Sequence, residues 1–313
     1  MSIDRIATNT QTQLFLSQIM KASKAMTRTQ TQVASGKVAS DYAGMGDKTA
    51  MLEAARAASG RVDGYKTATQ IALNQTNMQD TQLSTLSDLA GQLRQSVTDA
   101  VANDDGSTLM TQMQSIFDQA LQVLNSKDPN GNYMYGGDKD DAPPVTITSL
   151  SQLLALPSAS AAFANGTVPH SVRTGDGEQV TYGVLASDIG TQLMQTIKDV
   201  VDFNAGVNGN FSGNLSQVQS DFLSTTIGTA TSAATAVNNA AASNGFVYNR
   251  LTDASDQQGS LSTLYTGFVS DLEDVDMGQA ITRLNQNQVA LQAALQVTSQ
   301  LSQISLLNFL PGN

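Results

Sequence analysis

Residues 58–97 read ASGRVDGYKTATQIALNQTNMQDTQLSTLSDLAGQLRQSV. Along this stretch Ala58, Val62, Tyr65, Thr69, Ala72, Thr76, Gln79, Leu83, Leu86, Ala90, Leu93 and Val97 step alternately by four and three. A strand repeats every two residues, so this spacing fits only a long helix that presents one seam to a partner. Held without a slip over forty residues, it sets the fold class: a mainly α chain of long antiparallel helices in bundle or coiled-coil packing.

Working outward, NDDGS at 103–107 interrupts the seam, with Gly106 as breaker. Leu109, Met113, Ile116, Ala120 and Val123 then define a further helix, and NSKDPNGNYMYGG at 125–137 reads as turns. Residues 138–188 change character. Five of the six prolines lie between 129 and 169, and VTITSL and HSVRTGDGEQVTYGVL concentrate β-branched and aromatic residues around the turn TGDGE. This segment reads as a small β-rich insert. Helix returns in SDIGTQLMQTIKDVVDFN, capped by Ser187 or Asp188, and again near Asn214, with Gln217 as capping-box partner. A further long helix carries the seam Val247, Leu251, Ala254, Gln258, Leu261, Tyr265, Phe268, Leu272 and Val275.

Each end of the chain is helical with a weaker pattern. The first helix shows Leu16, Ile19, Ser23, Met26, Gln30 and Val33. The last, capped by Asp276, shows Met277, Ile281, Leu284, Gln288, Leu291, Leu295, Thr298 and Ser302. A contiguous insert between helical flanks requires the two ends to pair with each other. Only ten large apolar side chains lie among the first 34 residues. Their burial does not by itself offset the entropy of ordering that segment. Neighbouring molecules are then needed to order the ends. Three regions result: terminal helices at 1–40 and 276–313, a helical core at 41–137 and 189–275, and the insert at 138–188.

The 313 residues are 40% hydrophobic, and charged residues make up only 14%, with a net charge of −11. That balance is unsuited to phosphate backbones, so no nucleic-acid partner is expected. The chain lacks cysteine, which removes disulfides, thiol nucleophiles and Cys-ligated metals. No apolar run reaches membrane-spanning length, so no membrane insertion is expected, and the start lacks the apolar core of a cleaved signal.

Motifs with chemical potential fall away one by one. YAGMGDKTA at 42–50 places Asp47 between Gly46 and Lys48, where a phosphate loop needs Gly next to Lys, and it reads as a turn before a helix. DPNGN and GDKDD offer oxygen ligands but no Glu at the required position, so they read as solvated turns. His170 is the only histidine and reads as exposed, which leaves no triad. The acid pairs Glu273/Asp274 and Asp104/Asp105 read as helix-dipole partners. Met20, Met26, Met110, Met113 and Met194 read as core packing. No catalytic constellation, cofactor site or metal site emerges.

QTQVASGKVASDYAGMGDKTAMLEAA at 30–55 and FVSDLEDVDMGQAITRLNQNQVALQAALQVTSQLSQISLLNFL at 268–310 resemble the two ends of the flagellin family. There a Ser-Gly-Lys turn leads to a long helix and an Asp-Val-Asp turn to a Gln-rich terminal helix. Within that family NYMYGGDKDDAPPV at 132–145, NGFVYNRLTDA at 244–254 and the Leu-rich LSQISLLNFL at 301–310 resemble the hook–filament junction branch rather than filament flagellin. SDYAGMGDKT at 40–49 departs from the Pro-containing form of that branch.

The resemblance implies a structural, non-enzymatic subunit of the bacterial flagellum that joins hook to filament. Such a subunit is exported unfolded by the flagellar type III route, without a cleaved signal, and folds outside the cell. Its implied partners are copies of itself, hook-associated protein type one, flagellin, the export apparatus and an export chaperone. Its implied subunit-interface residues are Leu14, Leu16, Ile19, Met20, Met26, Val33, Met277, Ile281, Leu284, Leu291, Leu295, Leu301, Ile304, Leu306, Leu307, Phe309 and Leu310. Two alternatives stand beside it: filament flagellin that polymerises along the filament, and a helical signalling or coiled-coil scaffold.

Overall fold

A computed structural model of the chain describes residues 2–307, with side chains described at Thr10 and from 13 to 300. Its elements are α1 (Ser2–Ser35), α2 (Tyr42–Met45), α3 (Thr49–Ala102), α4 (Leu109–Leu124), α5 (Leu150–Leu154), β1 (His170–Gly175), β2 (Glu178–Tyr182), α6 (Ala186–Ala205), α7 (Gln217–Glu273) and α8 (Met277–Leu307). The fold is mainly α, with long packed helices and a two-stranded antiparallel hairpin. Contacts divide it into two compact units: Val62–Ser260, and the described residues up to Arg61 together with those from Leu261.

In the unit Val62–Ser260 the α3 seam is buried as its spacing predicts. Thr69, Ala72, Thr76, Gln79, Leu83, Leu86, Ala90, Leu93 and Val97 all have zero exposure, and Tyr65 is half-buried. Leu109, Met113, Ile116, Ala120 and Val123 of α4 are buried as well, against a core shared with Ile189, Leu193, Met194 and Ile197 of α6. Leu223, Ala230 and Val237 of α7 belong to the same cluster. Val172 and Val180, paired across the hairpin, rest on Ala72, Leu73 and Leu251.

Polar groups on and beside the seam form specific bonds. Asn244 Nδ2 donates to the Thr76 carbonyl at 3.0 Å, Ser87 Oγ meets Asn238 Oδ1 at 2.6 Å, and Gln79 Nε2 donates to the Met134 carbonyl at 2.9 Å. The bonds from Asn244 and to Asn238 are each satisfied in one register only, so they fix how α3 and α7 align.

Several local expectations need correction. The two long helices expected after residue 214 are one, α7, and no proline stops it between Gln217 and Glu273. Its capping box is Ser216 with Gln219: Gln219 N–H donates to Ser216 Oγ at 3.2 Å and Ser216 N–H donates to Gln219 Oε1 at 2.9 Å. Asn214 and Leu215 instead donate to the Asp104 carboxylate at 3.2 Å, so Asp104 serves the start of α7 from across the fold. Ser187 and Asp188 lie inside α6, and the cap is supplied from a distance by Asn165, whose Oδ1 accepts from Ser187 N–H at 3.1 Å.

The stretch 145–150 forms no strand. Only an isolated bridge joins Val145 to Phe163 before α5 begins. His170 sits half-buried in β1, its ring 5.9 Å from that of Tyr182, rather than exposed on a loop. Gly106 does more than break a helix. A side chain there would meet Phe211 Cβ at 2.8 Å, so only glycine allows that close approach.

Candidate assembly surface

The other unit is built around two interruptions brought side by side. Gly36, at φ +71°, ends α1 in the left-handed conformation that glycine adopts without steric cost, and its N–H donates to the Gln32 carbonyl at 2.9 Å. Lys37 then pairs in an antiparallel bridge with Asp274, between α7 and α8. Val38 N–H donates to the Glu273 carbonyl at 2.7 Å and Val275 N–H to the Gly36 carbonyl at 2.9 Å. Gln32 Nε2 adds a bond to the Val38 carbonyl at 2.7 Å.

Glu273 closes this clasp with its side chain. It is 8% exposed, bonded through Oε1 to Lys37 Nζ and through Oε2 to Arg56 Nη2 at 2.6 Å. The hydrogen bond from Lys37, followed by that from Arg56, holds the Glu273 carboxyl below the usual glutamate range. Glu273 is therefore no partner of a positive helix pole, because it lies at the C-terminal end of α7, where a dipole would repel it. Two cations from elsewhere in the unit overcome that repulsion. Asp276 behaves as the sequence predicts: its Oδ1 accepts from Gln279 N–H at 3.0 Å and caps α8.

From the clasp, α1 packs along α8. The described side chains buried on this pair are Thr29, Gln32 and Ala280, with Asn287 Nδ2 donating to Thr29 Oγ1 at 2.9 Å. The expected α1 seam ran through Gln30 and Val33, yet Gln30 is exposed and Val33 half-buried. The hydrogen bonds at Thr29 and Gln32 turn that polar edge inward. Between 13 and 28, and from 281 to 300, no described side chain is buried.

Of the residues singled out as a subunit interface, Leu14 (57%), Leu16 (50%), Met20 (65%), Met277, Ile281 and Leu295 are exposed. Ile19, Met26, Val33, Leu284 and Leu291 are half-buried. The side chains of Leu301, Ile304, Leu306, Leu307, Phe309 and Leu310 lie outside the described residues. Val289 (65%) and Val297 join the exposed set and were missed, since neither stands on the seam. The methionines divide: Met113 and Met194 are fully buried, Met26 and Met110 half-buried, and Met20 faces solvent.

Other candidate ligand groups are committed to local structure. Asp128 Oδ1 accepts from Asn130 and Asn132 N–H at 2.8 and 2.9 Å, and Asp138 Oδ1 accepts from Val168 N–H at 3.2 Å. Residues 42–48 form α2 and a short 3-10 turn leading into α3. Among the described residues no three His, Asp or Glu side chains gather as a metal site, and no helix is long and apolar enough to cross a membrane.

Comparison with known proteins adds three findings. Residues 227–310 match the family described as the bacterial flagellin C-terminal helical region. Among curated proteins nothing matches the chain. Two solved structures share the architecture. One is a Vibrio parahaemolyticus protein assigned as a flagellar hook-associated protein, with a TM-score of 0.59 and 14% identity, over 75% of this chain and 99% of that one. The other is Bacillus cereus FlgL, with a TM-score of 0.50 and 14% identity, over 68% of this chain and 98% of that one. At that identity the likeness is one of fold: this chain is built on the helical architecture of those two proteins.

Proposed function

We propose that the chain is a structural subunit of the bacterial flagellum placed at the hook–filament junction, where it joins hook-associated protein type one to the first flagellin subunits. The observation that carries this reading is the apolar surface left uncovered on α1 and α8. Leu14, Leu16, Met20, Met277, Ile281, Val289, Leu295 and Val297 face solvent on helices whose described buried side chains are Thr29, Gln32 and Ala280. Apolar surface on an elongated helix pair is stabilised once copies pack side by side in a tube wall. The flagellin C-terminal match over 227–310 and the fold shared with two flagellar proteins support the same reading.

Assembly is then coupled folding and binding. The chain leaves the cell through the flagellar export apparatus, held by a chaperone beforehand, and its ends become ordered on meeting neighbouring copies. A charge content of 14% limits repulsion between identical subunits. Its role is mechanical, with no catalytic step.

A second reading, filament flagellin, draws on the matched C-terminal region. Immunogold labelling of isolated flagella separates the two. One discrete band at the outer boundary of the hook is the expected result. Label along the whole filament establishes the flagellin reading, and absence of label from flagella overturns both.

A further inference from the structure

Four Asn-Gly pairs occur in the chain, at 130–131, 165–166, 208–209 and 244–245. In each, the glycine nitrogen is able to attack the Asn side-chain carbonyl carbon: the N–Cγ bond forms, the Cγ–Nδ2 bond breaks, and ammonia leaves. Water then opens the succinimide to Asp or isoAsp. The structure assigns this modification to Asn208, the one Asn-Gly pair whose asparagine is exposed with no bond to its side-chain amide, so that a single main-chain bond stands before ring closure.

The other three are restrained in different ways. Asn244 lies in α7, is 3% exposed, and donates to the Thr76 carbonyl, while the helix holds the following nitrogen in its own ladder. Asn165 is held at both ends of its amide: Nδ2 donates to the Gly166 carbonyl at 2.8 Å and to Ser187 Oγ at 3.1 Å, and Oδ1 accepts from Ser187 N–H. Gly166 N–H is committed to the Gly136 carbonyl at 2.7 Å. Asn130 is exposed, but its backbone N–H and its amide both face the Asp128 carboxylate, and Gly131 N–H donates to the Asp128 carbonyl. The attacking Gly131 nitrogen is thus committed to a carbonyl and the Asn130 amide to a carboxylate, so both ring-closing groups must be released together.

Asn208 lies beside the fully exposed Val207, in the loop between α6 and α7. Its side chain is exposed and has no partner among the described residues. Opening one bond, Gly209 N–H to the Gly206 carbonyl at 3.1 Å, frees the nucleophile.

The product alters the fold locally. Asn204 pins the loop on both sides: its carbonyl accepts from Asn210 N–H at 2.8 Å and its Oδ1 from Phe211 N–H at 2.9 Å. Phe211 is 4% exposed and its ring lies 5.7 Å from that of Phe203. Gly209 is pressed against Asn204, where even a Cβ would come within 2.1 Å of the carbonyl oxygen. An isoAsp at 208 routes the main chain through one extra carbon inside this pinned segment, and so strains the seat of Phe211.

The test is timed incubation of the purified full chain at mildly alkaline pH, with peptide mass spectrometry and enzymatic isoaspartyl labelling at all four sites. The native chain is expected to convert at Asn208 several-fold faster than at Asn130, with no conversion at Asn165 or Asn244. Asn208→Gln should abolish the leading signal. In urea the selectivity should collapse, with Asn165 and Asn244 now converting. No conversion at Asn208, faster conversion at any other site of the native chain, or unchanged selectivity in urea overturns the assignment.

Discussion

The same four-three spacing has opposite fates in the two units. Leu86 and Leu93 have zero exposure, whereas Leu16 and Leu295, seam positions of α1 and α8, are about half exposed. In the unit Val62–Ser260, α3 is covered by α4, α6, α7 and the insert, so every seam position finds a partner inside the molecule. In the other unit, α1 and α8 chiefly cover each other, and their described buried positions gather near the clasp. A heptad seam therefore states that a helix has a partner. It does not state whether that partner belongs to the same molecule.

This contrast orders the expected effects. The largest belongs to the core: Leu86→Ala or Leu93→Ala should cost about 2–5 kcal/mol in chemical denaturation, because a fully buried side chain leaves a cavity. Leu16→Ala or Leu295→Ala should change the stability of the isolated chain by less than about 0.5 kcal/mol, as for other exposed sites. The same two variants should nonetheless impair attachment of filaments to hooks. If they leave attachment intact, the exposed apolar residues form no assembly surface and the contrast loses its meaning. In the same sense, removal of residues 301–313 should abolish assembly while thermal unfolding of the core is retained.

Intermediate effects belong to the clasp and the caps. Glu273→Gln removes the charge that Lys37 and Arg56 share, and should cost about 1 kcal/mol of local stability, read by hydrogen exchange at Val38 and Val275. Glu273 has a depressed folded-state value, so its contribution is complete above the ordinary glutamate range near about 4.3 and is lost as pH falls through the lower folded value. Acidification should thus loosen the clasp in the natural chain and have less effect on Glu273→Gln. Ser216→Ala should cost about 1 kcal/mol through the capping box at the start of α7.

The sequence made the interior plain and the clasp obscure, for a physical reason. Periodicity reports apolar burial, and it located α3 and α4 and the inward face of α7 from Leu251 to Gln258, but not its earlier buried positions Leu223, Ala230, Ala233 and Val237. It also found the hairpin, through the turn at Asp176 and Gly177. Contacts between residues far apart in sequence leave no periodic trace. Asn165 capping α6, Asp104 serving α7 and Glu273 meeting Lys37 and Arg56 are all of that kind. The Ser-Gly-Lys turn and the acidic turn before α8 were both visible, but nothing in either told that they meet. In α1 the apolar seam misled by one position, because Thr29 and Gln32 turn inward through hydrogen bonds that hydropathy does not register.

Amide hydrogen exchange on the dilute monomer tests most directly whether the two units differ as described. Slow exchange along α3, α4 and α6 is expected, with protection in α1 and α8 confined to the turns around Thr29 and Ala280 and fading away from the clasp. Protection along the whole of α1 and α8 equal to that of α3 would contradict the account, since the ends would then need no neighbour to become ordered.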